Sequence, residues 1–478
     1  MLTKGCGARH ASLIALVLCV GLAATPSPAY AADAAVSAPV AQAAPEPLSL
    51  DQAIATAIQY NPRVIQSEAD LKAARALVTQ TRAANSATAN LQIVRTHVSD
   101  VATFVLPVAA PPPQFVTFET ISLGRAQNTQ GTLTIAKPLY TGGKIEAAVR
   151  QSRAGERAAG EGVRRTLQSL VTDVKQAYYT VLLTADLVKV AEQADAAARE
   201  HLRLAQAHFD AGTAPRFDVL RAEALVASTE QAVIQARNGL NLARAALNNA
   251  MGVAQDREFQ LASTYTPPQP ETALLQALVD QALKGRPEIA QVQAQVDAAG
   301  AAADQARANK RPTLGVAWVY SRVLDQTAFQ VTNSTLAIQL SQNIFDGRQT
   351  SAAVAIARSQ QESARALLEQ TRQGIALQVR QAFLSINSAQ ERVAAAAKGV
   401  AQAEEAFRIA TVRYNAGVSI SVETLDAQAA LTAARSDYAR AVYDYNVAVA
   451  QLELATGSWQ PSQPSSPQVA PAAGKPAS

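Results

Sequence analysis

The chain is poor in the residues that do chemistry. Its two cysteines, Cys6 and Cys19, both lie in the apolar N-terminal stretch. Downstream of that stretch the histidines are His97, His201 and His208, and none stands at a metal-ligand spacing from another. No nucleophile elbow and no phosphate-binding loop is present. An enzyme, a metal centre, a disulfide or a bound cofactor is therefore not expected. Aromatic residues make up only 5% of the chain. Ala and Gln abound instead, and Leu and Val recur at helical spacing, which suits long helices packed closely through small side chains. The formal charge is +4, falling to about +2 without Lys4 and Arg9, which gives no argument for a nucleic-acid partner. Beyond the N-terminus no stretch is apolar for long enough to be a transmembrane helix.

Residues 1–31 read as a secretory signal. Lys4 and Arg9 are the basic start, Ala11 to Ala24 the apolar core, and Ala29-Tyr30-Ala31 a cleavage site. Val17 and Leu18 precede Cys19 in place of the small residues that a lipoprotein signal needs, so no lipid anchor is expected. Residues 32–48 are rich in Ala and Pro and 459–478 in Pro, Ser and Ala, and both read as flexible ends.

Between these ends the chain is written twice. Tyr140 to Gly252 lies on Phe345 to Gly457 at a constant offset of 205 residues without a gap. Gly142 falls on Gly347, Ala177 on Ala382, Phe209 on Tyr414, Gly212 on Gly417 and Leu220 on Leu425. Upstream, the segment from Asn61 resembles that from Arg286 at an offset of 225. The expected units are 49–270 and 271–458, each with the same internal order. That order is helix, strand, loop, strand, long helix, tight turn, helix.

The strands are amphipathic. From Thr313, Leu314, Val316, Trp318 and Tyr320 alternate with small or polar residues, and from Thr335, Leu336, Ile338 and Leu340 do the same. Such a face suits either a soluble core or the lipid side of a barrel, and periodicity does not choose. Lengths add an argument. An unbroken helix from Lys144 to His208 would run roughly 100 Å, and two shorter helices stacked end to end would match it. Four strands with two bare edges need neighbours, which a ring of several copies supplies. The first half is about twenty residues longer between its strands, around 99–128 with the run "LPVAAPPP", and reads as the larger external loop.

At this point particular segments carry a resemblance. "RYNAGVSISVETLDAQAAL" from Arg413, with its counterpart "HFDAGTAPRFDVLRAEALV" from His208, resembles the periplasmic tip of TolC-type outer-membrane efflux proteins. "PLYTGGKIEAAV" from Pro138 and "NIFDGRQTSAAV" from Asn343 resemble that family's strand-to-helix junctions. The likeness covers about 49 to 458. It implies a mainly α protein with a transmembrane β-barrel. Duplicated long helical hairpins would form a trimeric α-barrel, and four strands per protomer would build a shared twelve-stranded β-barrel. It implies a homotrimer in outer-membrane lipid, with helices in the periplasm. It would serve as the exit duct of a tripartite efflux pump or a type I secretion system. A periplasmic adaptor and an inner-membrane transporter, proton-driven or ABC, would be its partners. The alternative is a periplasmic coiled-coil adaptor or structural protein.

The resemblance also points to residues. Glu423 and Asp426 hold positions of acids that face the pore in the family, and their spacing puts them on one helix face. Acids early in a helix also complement its dipole, which accounts for Glu423 but suits Asp426 poorly. Asp218 and Tyr414 hold positions that link neighbouring hairpins in the family's closed state, though Tyr414 could simply pack under the turn. The family's best-known member has a basic residue where this chain has Ser419, leaving Arg216 or Arg221 to take that part. Gly212 and Gly417 suit tight turns of positive φ and would belong to the surface that an adaptor meets. Trp318 and Tyr320 suit either an interfacial aromatic belt or ordinary barrel packing.

Overall fold

A computed structural model describes residues 47–97, 99, 103–109, 111–112, 116–122, 127–262, 265, 274–324 and 332–459. The signal and both flexible ends fall outside these, apart from 47, 48 and 459. The first half holds β1 (Pro47–Leu48), α1 (Leu50–Tyr60), α2 (Pro62–Ala83), β2 (Thr88–His97), β3 (Thr103–Ala109), β4 (Val116–Ser122), β5 (Gln127–Tyr140), α3 (Lys144–Asp210) and α4 (Arg216–Met251). Then follow β6 (Gln260–Leu261), α5 (Leu275–Gly285), α6 (Pro287–Ala308), β7 (Thr313–Val323), β8 (Thr332–Ser341), α7 (Gln349–Asn415) and α8 (Ser421–Thr456).

The duplication is exact at the level of the helices. Both α3 and α7 have 67 residues, and both α4 and α8 have 36. The two cores repeat as well. Leu170, Val174, Val181 and Leu247 are buried in one, and Ile375, Val379, Ile386 and Leu452, each 205 further on, in the other.

Each long helix faces two shorter ones laid end to end. The joint is built by Asn61, which ends α1 and caps α2, its Oδ1 accepting from the Arg63 N–H. Pro62 sits in the first turn of α2, where a missing N–H costs nothing. The Asn61 Nδ2 donates to the Ala250 carbonyl at 2.8 Å and so ties the joint to the end of α4. Gly252 closes α4 with φ 74°. In the second half Gly457 closes α8 against Gly285 and Arg286.

Four of the strands form one antiparallel sheet in the order β2-β5-β7-β8. Register puts Ala89, Ile135, Trp318 and Leu336 in one row and Leu91, Leu133 and Tyr320 in the next. The opposite face carries rows such as Asn90, Thr134, Val319, Thr335 and Gln92, Thr132, Ser321, Asn333. One face is thus apolar and the other polar, with Leu336, Ile338 and Leu340 each about 70% exposed along the β8 edge. Trp318 lies mid-strand, its indole N–H donating to Ser334 and its ring stacked on Tyr320.

The region expected to be a long loop is different. Within 99–128, β3 and β4 pair as a two-stranded ribbon apart from the main sheet. Thr, Phe and Val on either side of the Pro-rich run favour extended arms.

Packing between the halves is one-sided. Helix α3 packs on α6 and α8 of the other half, while α7 has no comparable packing on α2 or α4. The surfaces left over are apolar: Leu377 and Leu384 on α7, and Ile234 and Leu242 on α4, are more than half exposed. No helix among the described residues is long and apolar enough to cross a membrane.

Candidate functional site at the hairpin tips

Both hairpins end in the same turn. Gly212 has φ 74° and Gly417 φ 70°, and no atom lies within 4 Å of where either Cβ would be. The Thr213 N–H donates to the His208 carbonyl, and the Val418 N–H to the Arg413 carbonyl. Prolonged helices thus stop at a left-handed residue and restart at Arg216 and Ser421.

The acids of α8 are unequal. Glu423 accepts from Ser419 Oγ at 2.6 Å and lies 3.4 Å from the Arg413 guanidinium. Asp426, on the same face, is exposed and has no ion pair in the chain among the described residues. The basic partner is thus Arg413, at the end of the preceding helix. Arg216 and Arg221, considered for that part from sequence, form no ion pair within the chain among the described residues. Ser419 takes part as a hydrogen-bond donor to Glu423 instead of as a charge partner.

Asp218 and Tyr414 come together, with two histidines. Tyr414 is buried between the rings of His201 and His208, at centroid distances of 5.1 and 5.3 Å. His201 Nε2 is 2.9 Å from Ser421 Oγ, joining α3 to α8. Further along this seam the Gln428 Nε2 donates to the Ala194 carbonyl and Arg435 donates to Gln193. Burial raises the Tyr414 pKa and the nearby Asp218 carboxylate adds to the rise. Burial also holds the His201 imidazole below its usual 6.5, against the pull of Asp218.

Sequence reading leaves out His201, Ser421 and Arg413. A signal for His201 was present: it falls between Ala198 and Ala205 at helical spacing, and both alanines are fully buried. No comparable pattern marks Arg413, whose role comes from folding back across the turn.

The His201 contact has a sign. The folded tip favours the neutral imidazole, so its contribution is complete above about pH 6.5 and is lost as pH falls from there toward the lowered folded value. Amide exchange of 205–215 and 413–424, corrected for intrinsic rate, should therefore speed up on going from about pH 7.5 to about pH 5.5, by at most about tenfold per pH unit. His201→Gln should flatten that dependence. An unchanged slope in the variant would mean that another group controls the tip.

Comparison with known proteins bears on the whole chain. A family model described as "Outer membrane efflux protein" matches residues 53–253 and 278–458. The alkaline protease secretion protein AprF of Pseudomonas aeruginosa is 27% identical over 334 residues, covering 68% of this chain and 69% of AprF. The outer membrane efflux protein BepC of Brucella suis is 26% identical over 356 residues, covering 72% of this chain and 77% of BepC. Among solved structures, the outer membrane protein VceC of Vibrio cholerae shares the fold at TM-score 0.67 and 20% identity, over 85% of this chain and 96% of that one.

Proposed function

Because the chain belongs to the outer membrane efflux protein family and is an outer-membrane export channel, we propose that three copies close into one conduit from periplasm to exterior. The observation that carries this reading is the one-sided packing. What α3 does with α6 and α8 inside the chain, α7 would do with α2 and α4 of the next copy. The β8 edge would pair with the next β2, and this pairing is again antiparallel, as in every contact of the sheet. Three copies then give twelve strands with no free edge.

In this arrangement the polar rows of the sheet line the water path and the apolar rows meet lipid. Trp318 and Tyr320 stand among the lipid-facing residues, Tyr320 nearer the outer end. The helical hairpins form the periplasmic tube. Glu423 and Asp426 ring its narrow end, the Asp218 and Tyr414 cluster holds adjacent hairpins together, and the turns at Gly212 and Gly417 offer open surface to an adaptor. The chain does no chemistry and needs no cofactor. Residues 1–31 are removed on export, and 49–270 and 271–458 are the two structural repeats. The partners are a periplasmic adaptor and an inner-membrane transporter. Names among the relatives include both protease secretion and efflux, and the cargo is chosen by that transporter.

Crosslinking of the purified protein in detergent should stop at three subunits. A stable monomer, or a ring of another size, would sink this architecture.

A further inference from the structure

The internal duplication allows the contacts between copies to be read from the contacts within one. The mapping holds at two places inside the chain. Arg435 pairs with Glu404 across the second hairpin, and 205 residues earlier Glu230 pairs with Arg199 across the first. Arg75 pairs with Glu156 between α2 and α3. At the offsets of 225 and 205, Gly300 and Gln361 meet between α6 and α7.

The same mapping can be applied to the seam between the halves. Arg157 on α3 pairs with Asp297 on α6 at 2.8 Å. Their counterparts are Glu362 on α7 and Lys72 on α2, a pair with the charges reversed. Arg435 on α8 donates to Gln193 on α3 at 2.6 Å. Their counterparts are Glu230 on α4 and Lys398 on α7, again opposite in charge. Lys72, Glu362 and Lys398 are exposed and have no ion-pair partner in the chain among the described residues.

We propose that the seam between copies is fastened by Glu362 to Lys72 and by Lys398 to Glu230 of the next copy. The inference rests on the trimer reading and adds its residue pairing. Exposed ion pairs fasten weakly, but these would be repeated at three seams and would act mainly as a key. If the α3 face of one copy met the α2 face of another, Arg157 would oppose Lys72. If the α7 face met α6, Glu362 would oppose Asp297. Like charges would reject both exchanges, so the seam inside a chain and the seam between chains cannot substitute for each other.

The test uses the full-length chain, whose only cysteines are Cys6 and Cys19 in the signal. With Lys72→Cys and Glu362→Cys in one chain, a short bismaleimide should link copies up to a trimer, and neither single variant should link. Glu362→Lys should lower the trimer fraction on unheated gels severalfold, and adding Lys72→Glu should restore it to within about twofold. Trimers that form without the cysteine link, or a double reversal no better than the single one, overturn the pairing and leave the trimer standing. An unmodified protein that is not trimeric overturns both.

Discussion

Asp426→Ala should weaken block of the channel by a trivalent cation, added from the periplasmic side of a planar bilayer, by roughly a hundredfold. The expectation follows from the inequality of the two acids. Glu423 is already engaged by Arg413 and Ser419 within its own hairpin. Its replacement by Ala should change block by less than about fivefold. Asp426 is exposed without such a partner, so in the proposed trimer three copies would present three carboxylates to the lumen. The duplication adds a refinement. The position equivalent to Asp426 in the first hairpin is Arg221, so acids and guanidinium groups would alternate around the proposed ring. Removing Asp426 leaves the positive members alone, and attraction of a cation turns into repulsion. Arg221→Ala should conversely tighten block, and both effects should shrink at high salt. Equal block in the Asp426 variant and the parent would place these carboxylates outside the constriction.

Gly252→Ala should be the most damaging single methyl added to the helices, while Gly212→Ala should be mild. Both glycines have φ 74° and share the strain of a left-handed residue, worth roughly 1–2 kcal/mol. At Gly212 nothing lies within 4 Å of the new atom. At Gly252 the atom would lie 2.7 Å from both Asn61 Cα and the Tyr60 carbonyl oxygen, which are backbone and cannot rotate away. The joint would have to open, and the Asn61 hydrogen bond to Ala250 would go with it. A total of about 3–5 kcal/mol is expected, as for a buried clash added to a lost cap. Gly457→Ala should fall between, because its near neighbour at 3.3 Å is Arg286 Cγ, part of a flexible side chain. The temperature at which trimers dissociate ranks the three. A Gly212 variant as unstable as the Gly252 one would show that strain alone decides.

Most of the helical architecture was legible in sequence, because long helices of one period need only their punctuation. Pro62, Gly212, Pro215 and Gly252 mark boundaries that agree with the structure to within a residue or two. The strands were legible from alternation, though β5 begins earlier than its clear alternating core. The ribbon of β3 and β4 was not, because a Pro-rich stretch reads as loop and its pairing is set by residues seven or more apart. The tip was half legible. Turn glycines and the α8 acids announce themselves by spacing, but Arg413 reaches Glu423 only across a folded turn. His201 meets Ser421, 220 positions away in sequence, only because the two hairpins lie side by side.

The joint at Asn61 also has a mechanical meaning. In each hairpin one leg, α3 or α7, is an unbroken spar, while the other stops at a glycine and hands over to a separate rod. A sideways load at the tip must bend the spar along its length, but it need only tilt the shorter leg about its end. Compliance is thus concentrated at the level of Gly252 and Gly457. Each hairpin would therefore act as a lever with its fulcrum there, one leg bending while the other tilts.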